Sequence, residues 1–368
     1  MSGRIGRALG VQIFGESHGP MVGATVDGFP AGFRVHVEEL TAFLQRRAAK
    51  GGELSTHRHE ADEPRIVSGI KDGVTTGYPI TALFENADPH SADYAFLPDR
   101  PRPGHADYPA LVKSHGYDDL NGSGHHSGRL TLPYAFAGGL ALQYLASRGV
   151  TVASHVFRIA GVTDQLIDPL HPDMAALLAC RSQVVPTISP EAGEAMRQAI
   201  TAARNAQDSV GGVVELVAVG LPVGLGSPFF DGVEAMAATH LFSIPAVKGV
   251  EFGAGFGAAE MFGSTYNDPY TILGGQVVTT QNHAGGLLGG LTDGMPVIAR
   301  VAFRPTPSIA KPQHTVSLSG MQDAELSVHG RHDPCIVIRA LPVAEGALAL
   351  ALCDLWLQAD GNANTEEK

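Results

Sequence analysis

The chain of 368 residues is poor in cysteine, with only Cys180, Cys335 and Cys353, and poor in charge, at 17% of its residues. Three cysteines so far apart make no disulfide framework, which favours a reducing compartment and, by default, the cytoplasm. No uncharged run approaches the length of a membrane-spanning helix, and Met1-Ser2-Gly3-Arg4 leads into no apolar segment, so neither a span nor a leader is read here. A formal net charge of −12, with no cluster of Lys and Arg interleaved with aromatics, argues against a nucleic-acid partner. There is also no short repeat and no linker of Pro, Ser and Gly alone. Residues 1–360 are therefore expected to form one large domain, followed by a polar, disordered tail over 361–368.

What is present is a 44% hydrophobic chain with 45 glycines spread evenly along it, enough for a sizeable core joined by many tight turns. Turn-bounded β-branched runs alternate with helical patterns, so the fold class is mixed, α/β or α+β. Ser189 before Pro190 predicts a helix start, Met196, Ile200 and Ala203 continue at helical spacing, and a strand follows over Val213–Val219. Glu38 to Ala49 and Tyr134 to Ser147 read as further helices. A last one, about Val343 to Gln358, is apolar on most faces and is expected to lie between layers.

Two strings frame one histidine each: Gly15-Glu16-Ser17-His18-Gly19 and Arg102-Pro103-Gly104-His105-Ala106-Asp107-Tyr108. A histidine beside glycines and carboxylates fits a hydrogen-bonded turn residue. That is its commoner role, but it also fits a proton-transfer group, since imidazole titrates near neutrality. His57-Arg58-His59 and His125-His126 raise metal binding as a rival reading, but no Cys or carboxylate pair completes a ligand set, and no metal is expected. The strings Gly253-Ala254-Gly255-Phe256-Gly257 and Gly122-Ser123-Gly124 lack the strand, helix and acidic residue of a dinucleotide-binding unit.

Denser strings follow: Lys248-Gly249-Val250-Glu251-Phe252-Gly253, Asn282-His283-Ala284-Gly285-Gly286, Arg304-Pro305-Thr306-Pro307-Ser308-Ile309 and Gly330-Arg331-His332-Asp333-Pro334-Cys335. With the two histidine frames, Gly73-Val74-Thr75-Thr76-Gly77 and Asp93-Tyr94, they resemble the chorismate synthase family in order, from Phe14 to about Leu355. The resemblance implies a β-α-β sandwich, usually homotetrameric. It also implies reduced FMN, supplied from outside, and a 1,4-anti elimination of phosphate and a ring proton from 5-enolpyruvylshikimate 3-phosphate, a lyase reaction of aromatic amino acid biosynthesis. By that match His18 serves the leaving phosphate, His105 faces the flavin, and Asp333 stands near the migrating proton. Ser127, Ala246, Gly289, Arg304, Thr306, Pro307, Ser308 and Arg331 would hold the cofactor, and Arg47 and Arg129 the substrate.

Several arginines usual in the family are missing. Arg46-Arg47 are followed by Ala48-Ala49-Lys50-Gly51, and Glu53 stands at a later Arg position. The string Arg-Gly-Gly-Gly-Arg-Ser-Ser-Ala-Arg becomes Asn121-Gly122-Ser123-Gly124-His125-His126-Ser127-Gly128-Arg129, Tyr134 lies where an Arg is usual, and Pro245 replaces an amide. Each charge-assisted hydrogen bond contributes roughly 1.5 to 3 kcal/mol, so the losses point to a less anionic cyclohexene relative as substrate unless His125 and His126 compensate. A silent structural or regulatory homologue is the remaining reading, against which the retention of His18, His105 and Asp333 speaks.

Overall fold

The computed structural model describes residues 3–49, 54, 62–86, 94–328 and 332–366. Its frame is two antiparallel five-stranded sheets. The first runs in the order Arg4–Ile5, Gly10–Gly15, Met21–Asp27, Ile80–Glu85, Arg65–Ser68. The second runs Val247–Phe252, Val297–Phe303, Gly212–Val219, Thr151–Ile159, Val162–Thr163.

Between the sheets lie two helices, Thr131–Ser147 against the first sheet and Val337–Glu366 against the second, packed on each other. This is the expected β-α-β sandwich. Over 132–145 and 340–355 both helices are apolar nearly all round because both are covered on nearly every side there. They approach closely at a pair of glycines: a Cβ on Gly138 would stand 2.4 Å from the Cα of Gly346. By length and composition Val337–Gly361 could cross a membrane, but 83% of its most apolar window is buried inside the protein, as a core helix should be.

The second sheet is buried on both faces. Val214, Leu216 and Ala218 face the helices, while Val217 packs with Ala153, Ile298 and Leu177 on the other side. That outer face carries a row of charges in register across four strands, His155, Glu215, Arg300 and Glu251. His155 is fully buried between Asp164 (2.9 Å) and Glu215 (3.1 Å).

Local signals fared well where capping chemistry was explicit. Ser189 Oγ accepts from Ala192 N and Pro190 opens the helix Pro190–Asn205, and the following strand spans Gly212–Val219. The helix read to Ala49 instead stops at Gln45, with Arg46 as its C-cap. Its two arginines are then drawn to different carboxylates, Glu345 and Asp62. The last helix begins at Val337 and carries Pro342 inside its first turns, and its backbone continues to Glu366, into the segment expected to be disordered. The three cysteines are buried and free, and burial pushes the thiols of Cys180 and Cys335 up to about 11 and about 12.

Candidate active site

Arginine and strained backbone meet in one cavity of about 240 Å³. Three non-glycine residues on its wall sit at positive φ: Asp62 at 50°, Ser123 at 78° and Ala246 at 75°. Such conformations cost on the order of 1–3 kcal/mol each and persist where the surroundings over-determine them.

His105 and its supports come from the loop before the helix Asp107–Lys113. Nδ1 of His105 lies 2.6 Å from Oδ1 of Asp107, which can only accept, so the proton sits on Nδ1 and the neutral ring offers Nε2 as a base. Burial, together with the charges of Arg102 and Arg304, pulls the His105 pKa below its ordinary value, although Asp107 works the other way. Asp107 is locked in turn by Arg102, whose Nε and Nη2 each reach it at 2.7 Å. Arg102 also donates to Ser308 Oγ (3.1 Å) and Ser123 Oγ (2.8 Å) and lies over the Tyr94 ring. The hydrogen bonds of Asp107 hold its carboxyl far below the usual range despite its burial.

A second network joins the two candidate substrate arginines. Arg47 Nη1 donates to Asp62 Oδ2 at 2.9 Å, and Arg129 Nη1 donates to the other oxygen, Oδ1. All three side chains are buried. Arg129 is steadied further by Asn86 Oδ1 and Glu85 O, and Arg47 by Thr131 Oγ1. A third pair follows: Arg339 Nη1 stands 2.5 Å from Asp333 Oδ2, and its Nε donates to the backbone oxygen of Arg47.

Arg304 is half-buried, its side chain bonds only Pro305 O among the described residues, and burial lowers its pKa. Five arginines (47, 102, 129, 304 and 339) thus line the cavity against the carboxylates Asp62 and Asp333, with Asp107 behind them. In a chain of net charge −12 this is a concentrated positive field, suited to a polyanion.

Of the residues singled out from the sequence, His105, Asp333, Ser127, Ala246, Arg304, Thr306, Pro307, Ser308, Arg47 and Arg129 line this one cavity. His18 does not. Its ring backs the wall, edge-on to Tyr94 at 5.4 Å and so close to Gly122 that a Cβ there would lie 2.2 Å from Cδ2. Gly289 is also outside the lining, in the tight turn between Leu287–Leu288 and Leu291–Thr292, at φ 62°. Arg331, Glu53, Asp93 and His57-Arg58-His59 lie outside the described residues.

His125, read as a possible substitute for a missing arginine, is outside the lining: its Nδ1 donates to Gly15 O at 3.1 Å and the ring is exposed. His126 does line the cavity. Tyr134 points into the core, its hydroxyl 2.9 Å from His240 Nδ1. Thr306 and Ser308, read as hydroxyl donors for a ligand, also brace the loop: Thr306 Oγ1 donates to Asp333 O, and Ser308 Oγ accepts from Arg102.

Asp62 and Arg339 were missed. Nothing local marks Asp62, whereas a lone arginine in the apolar stretch Ile338-Arg339-Ala340 is a usable signal.

The family profile of chorismate synthase matches residues 9–357. The chain belongs to the chorismate synthase family. It is 50% identical to the chorismate synthase of Pyrococcus abyssi (strain GE5 / Orsay) over 349 residues, covering 95% of this chain and 96% of the relative. It is 49% identical to that of Thermococcus gammatolerans over 354 residues, covering 96% and 97%. Among solved structures it resembles one titled "Crystal Structure of Chorismate Synthase", with a TM-score of 0.75 and 26% identity over 96% of this chain and 93% of that one. Its function is chorismate-synthase-like, that of a lyase of the shikimate pathway.

Proposed function

We propose that the chain eliminates phosphate and a ring proton from 5-enolpyruvylshikimate 3-phosphate, with reduced FMN bound in the same cavity. The observation that carries this reading is the convergence of five arginines, an oriented neutral His105 and the Asp333 carboxylate on one cavity. The missing family arginines suggested a less anionic substrate. Arg304 and Arg339 bring cationic donors to the cavity beyond Arg47 and Arg129, so the usual phosphorylated dicarboxylate has partners and the changed-substrate reading loses its motive.

The residues fit a phosphorylated flavin. Arg304 has no carboxylate partner among the described residues, Ala246 holds a strained backbone at the wall, and Thr306, Pro307 and Ser308 form a braced loop beside it. When bound, reduced FMN supplies the electron density that lets an allylic phosphate depart without net redox change.

The rest is work for side chains. Arg47 and Arg129, fixed by Asp62, neutralise the substrate's anionic groups without reorganising, which favours departure of the leaving oxygen. Nε2 of His105 holds or accepts a proton at the flavin side. Asp333, oriented by Arg339, stands ready to take or relay the ring proton. His18 sits behind Gly122, where it can act on the phosphate only by way of that wall.

The same reading includes reduced flavin supplied by another source, a cytoplasmic setting and a homotetramer. Large apolar side chains are exposed throughout 223–288, among them Phe229 (87%), Phe256 (85%) and Ile272 (75%), more than a lone subunit would leave in water.

The test is an anaerobic titration of the protein with reduced FMN, with and without 5-enolpyruvylshikimate 3-phosphate, following flavin absorbance and phosphate release. Flavin binding with release and chorismate formation is the expected result. Binding without release would mean another substrate, and no binding a silent homologue.

A further inference from the structure

A second cavity, of about 470 Å³, lies where the helix Val37–Gln45 meets the helix Thr131–Ser147 and the start of the strand Thr151–Ile159. It shares no lining residue with the active-site cavity. Phe33, Phe43 and Leu142 give it apolar walls, and Arg34 and Arg181 face it with charge.

The charge around it does not balance. Glu345, fully buried on the core helix, is gripped by Arg46 through two bonds of 2.6 and 2.8 Å and by Ser154 at 2.6 Å. Arg181 Nη2 must share that carboxylate, at 3.1 Å, and also donates to Val152 O. Its Nε is buried with no partner among the described residues. Burial lowers the Arg181 pKa, yet a guanidinium does not give up its proton, so a cation stays desolvated beside an open volume. Arg34 makes no ion pair or side-chain hydrogen bond among the described residues. Even with Glu39 on the exposed rim, one positive charge is left over.

We propose that this cavity is a second ligand site, taking a small organic anion that carries a carboxylate on a planar apolar ring. The carboxylate would meet Arg34 and the accessible edge of the Arg181 guanidinium, and the ring the walls of Phe33, Phe43 and Leu142, independently of what occupies the active site. An unbalanced cation rewards an anion, and apolar walls reward a ring, so neither feature alone suffices.

Calorimetric titration of the full chain with benzoate tests this, with benzyl alcohol (ring without charge) and inorganic phosphate (charge without ring) as comparators. Benzoate is expected to bind at millimolar concentration and both comparators at least tenfold more weakly. Arg181→Gln is expected to weaken benzoate about tenfold or more, the loss of one charge-assisted bond. Arg34→Gln, at an exposed position that leaves the fold intact, should weaken it several-fold, which keeps the test decisive if Arg181→Gln misfolds. Absence of benzoate binding, equal binding of either comparator, or unchanged affinity in the folded variants would overturn the proposal. The last outcome would place benzoate among the active-site arginines instead.

Discussion

His105 Nδ1 stands 2.6 Å from Oδ1 of Asp107, so a buried carboxylate holds the imidazole in one tautomer with Nε2 turned out as a base. In the proposed role His105 acts as the neutral ring, and its pKa lies below the ordinary 6.5. The acid limb of kcat/KM is therefore expected below pH 6.5. His105→Ala should cost roughly 10²–10⁴-fold in kcat. Asp107→Asn removes the group that raises the His105 pKa and should move the limb further toward acid while lowering kcat. A pH–rate profile of the three proteins checks this, and a limb above 6.5 would exclude neutral His105 as the active form.

Asp62 bridges Arg47 and Arg129 in a buried triad. Asp62→Asn leaves two guanidinium groups facing each other and is expected to destabilise the protein by about 3 kcal/mol in urea unfolding. Added inorganic phosphate should restore part of that loss, since an anion can take the carboxylate's place.

The helix crossing at Gly138 and Gly346 has no room for a methyl group. A Cβ on Gly138 would lie 2.4 Å from Gly346 Cα, whereas one on Gly346 would lie 3.1 Å from Gly138 Cα. Gly138→Ala is expected to cost about 1–3 kcal/mol and Gly346→Ala less, by denaturant midpoints. The reverse order would show that the helices slide past each other rather than hold this crossing.

His155 is sandwiched between Asp164 and Glu215, and the raised pKa keeps its ring charged in the folded state against the cost of burial. Because the folded value lies above the unfolded 6.5, the stabilisation is fully present below pH 6.5 and is lost as pH rises through the folded value. Unfolding free energy should fall over that window in the native chain, and His155→Gln should flatten the fall.

Gly122→Ala would push a methyl group into the His18 ring at φ 59°. A drop of roughly tenfold or more in kcat with an unchanged circular dichroism spectrum is expected if His18 positions the phosphate side of the site. Full activity in that variant would remove His18 from the mechanism.

Much of the site was legible because its motifs are local. The Arg102 to Asp107 string carries a histidine, its carboxylate partner and the arginine that locks both within six positions, so their contact follows from one turn of loop. The Arg304 to Ser308 loop was legible only through its place in the order of family motifs. Asp62 and the role of Arg339 were not, since the partners of Asp62 come from the turn after one helix and the helical turn before another, and Arg339 reaches Arg47 O from 292 residues away.

The sequence by itself determined where the helix at Pro190 starts and the strand after it runs, that the last helix must lie between layers, and the family. Those follow from capping side chains, apolar periodicity and the order of motifs, all properties of neighbours along the chain. Only the tertiary structure decided that Arg46 turns to Glu345 while Arg47 turns to Asp62, that His125 faces Gly15 and not the cavity, and that His18 stands behind Gly122. Each of these depends on which distant charge or backbone atom lies within about 3 Å once the layers have packed, and local spacing carries no information about that distance.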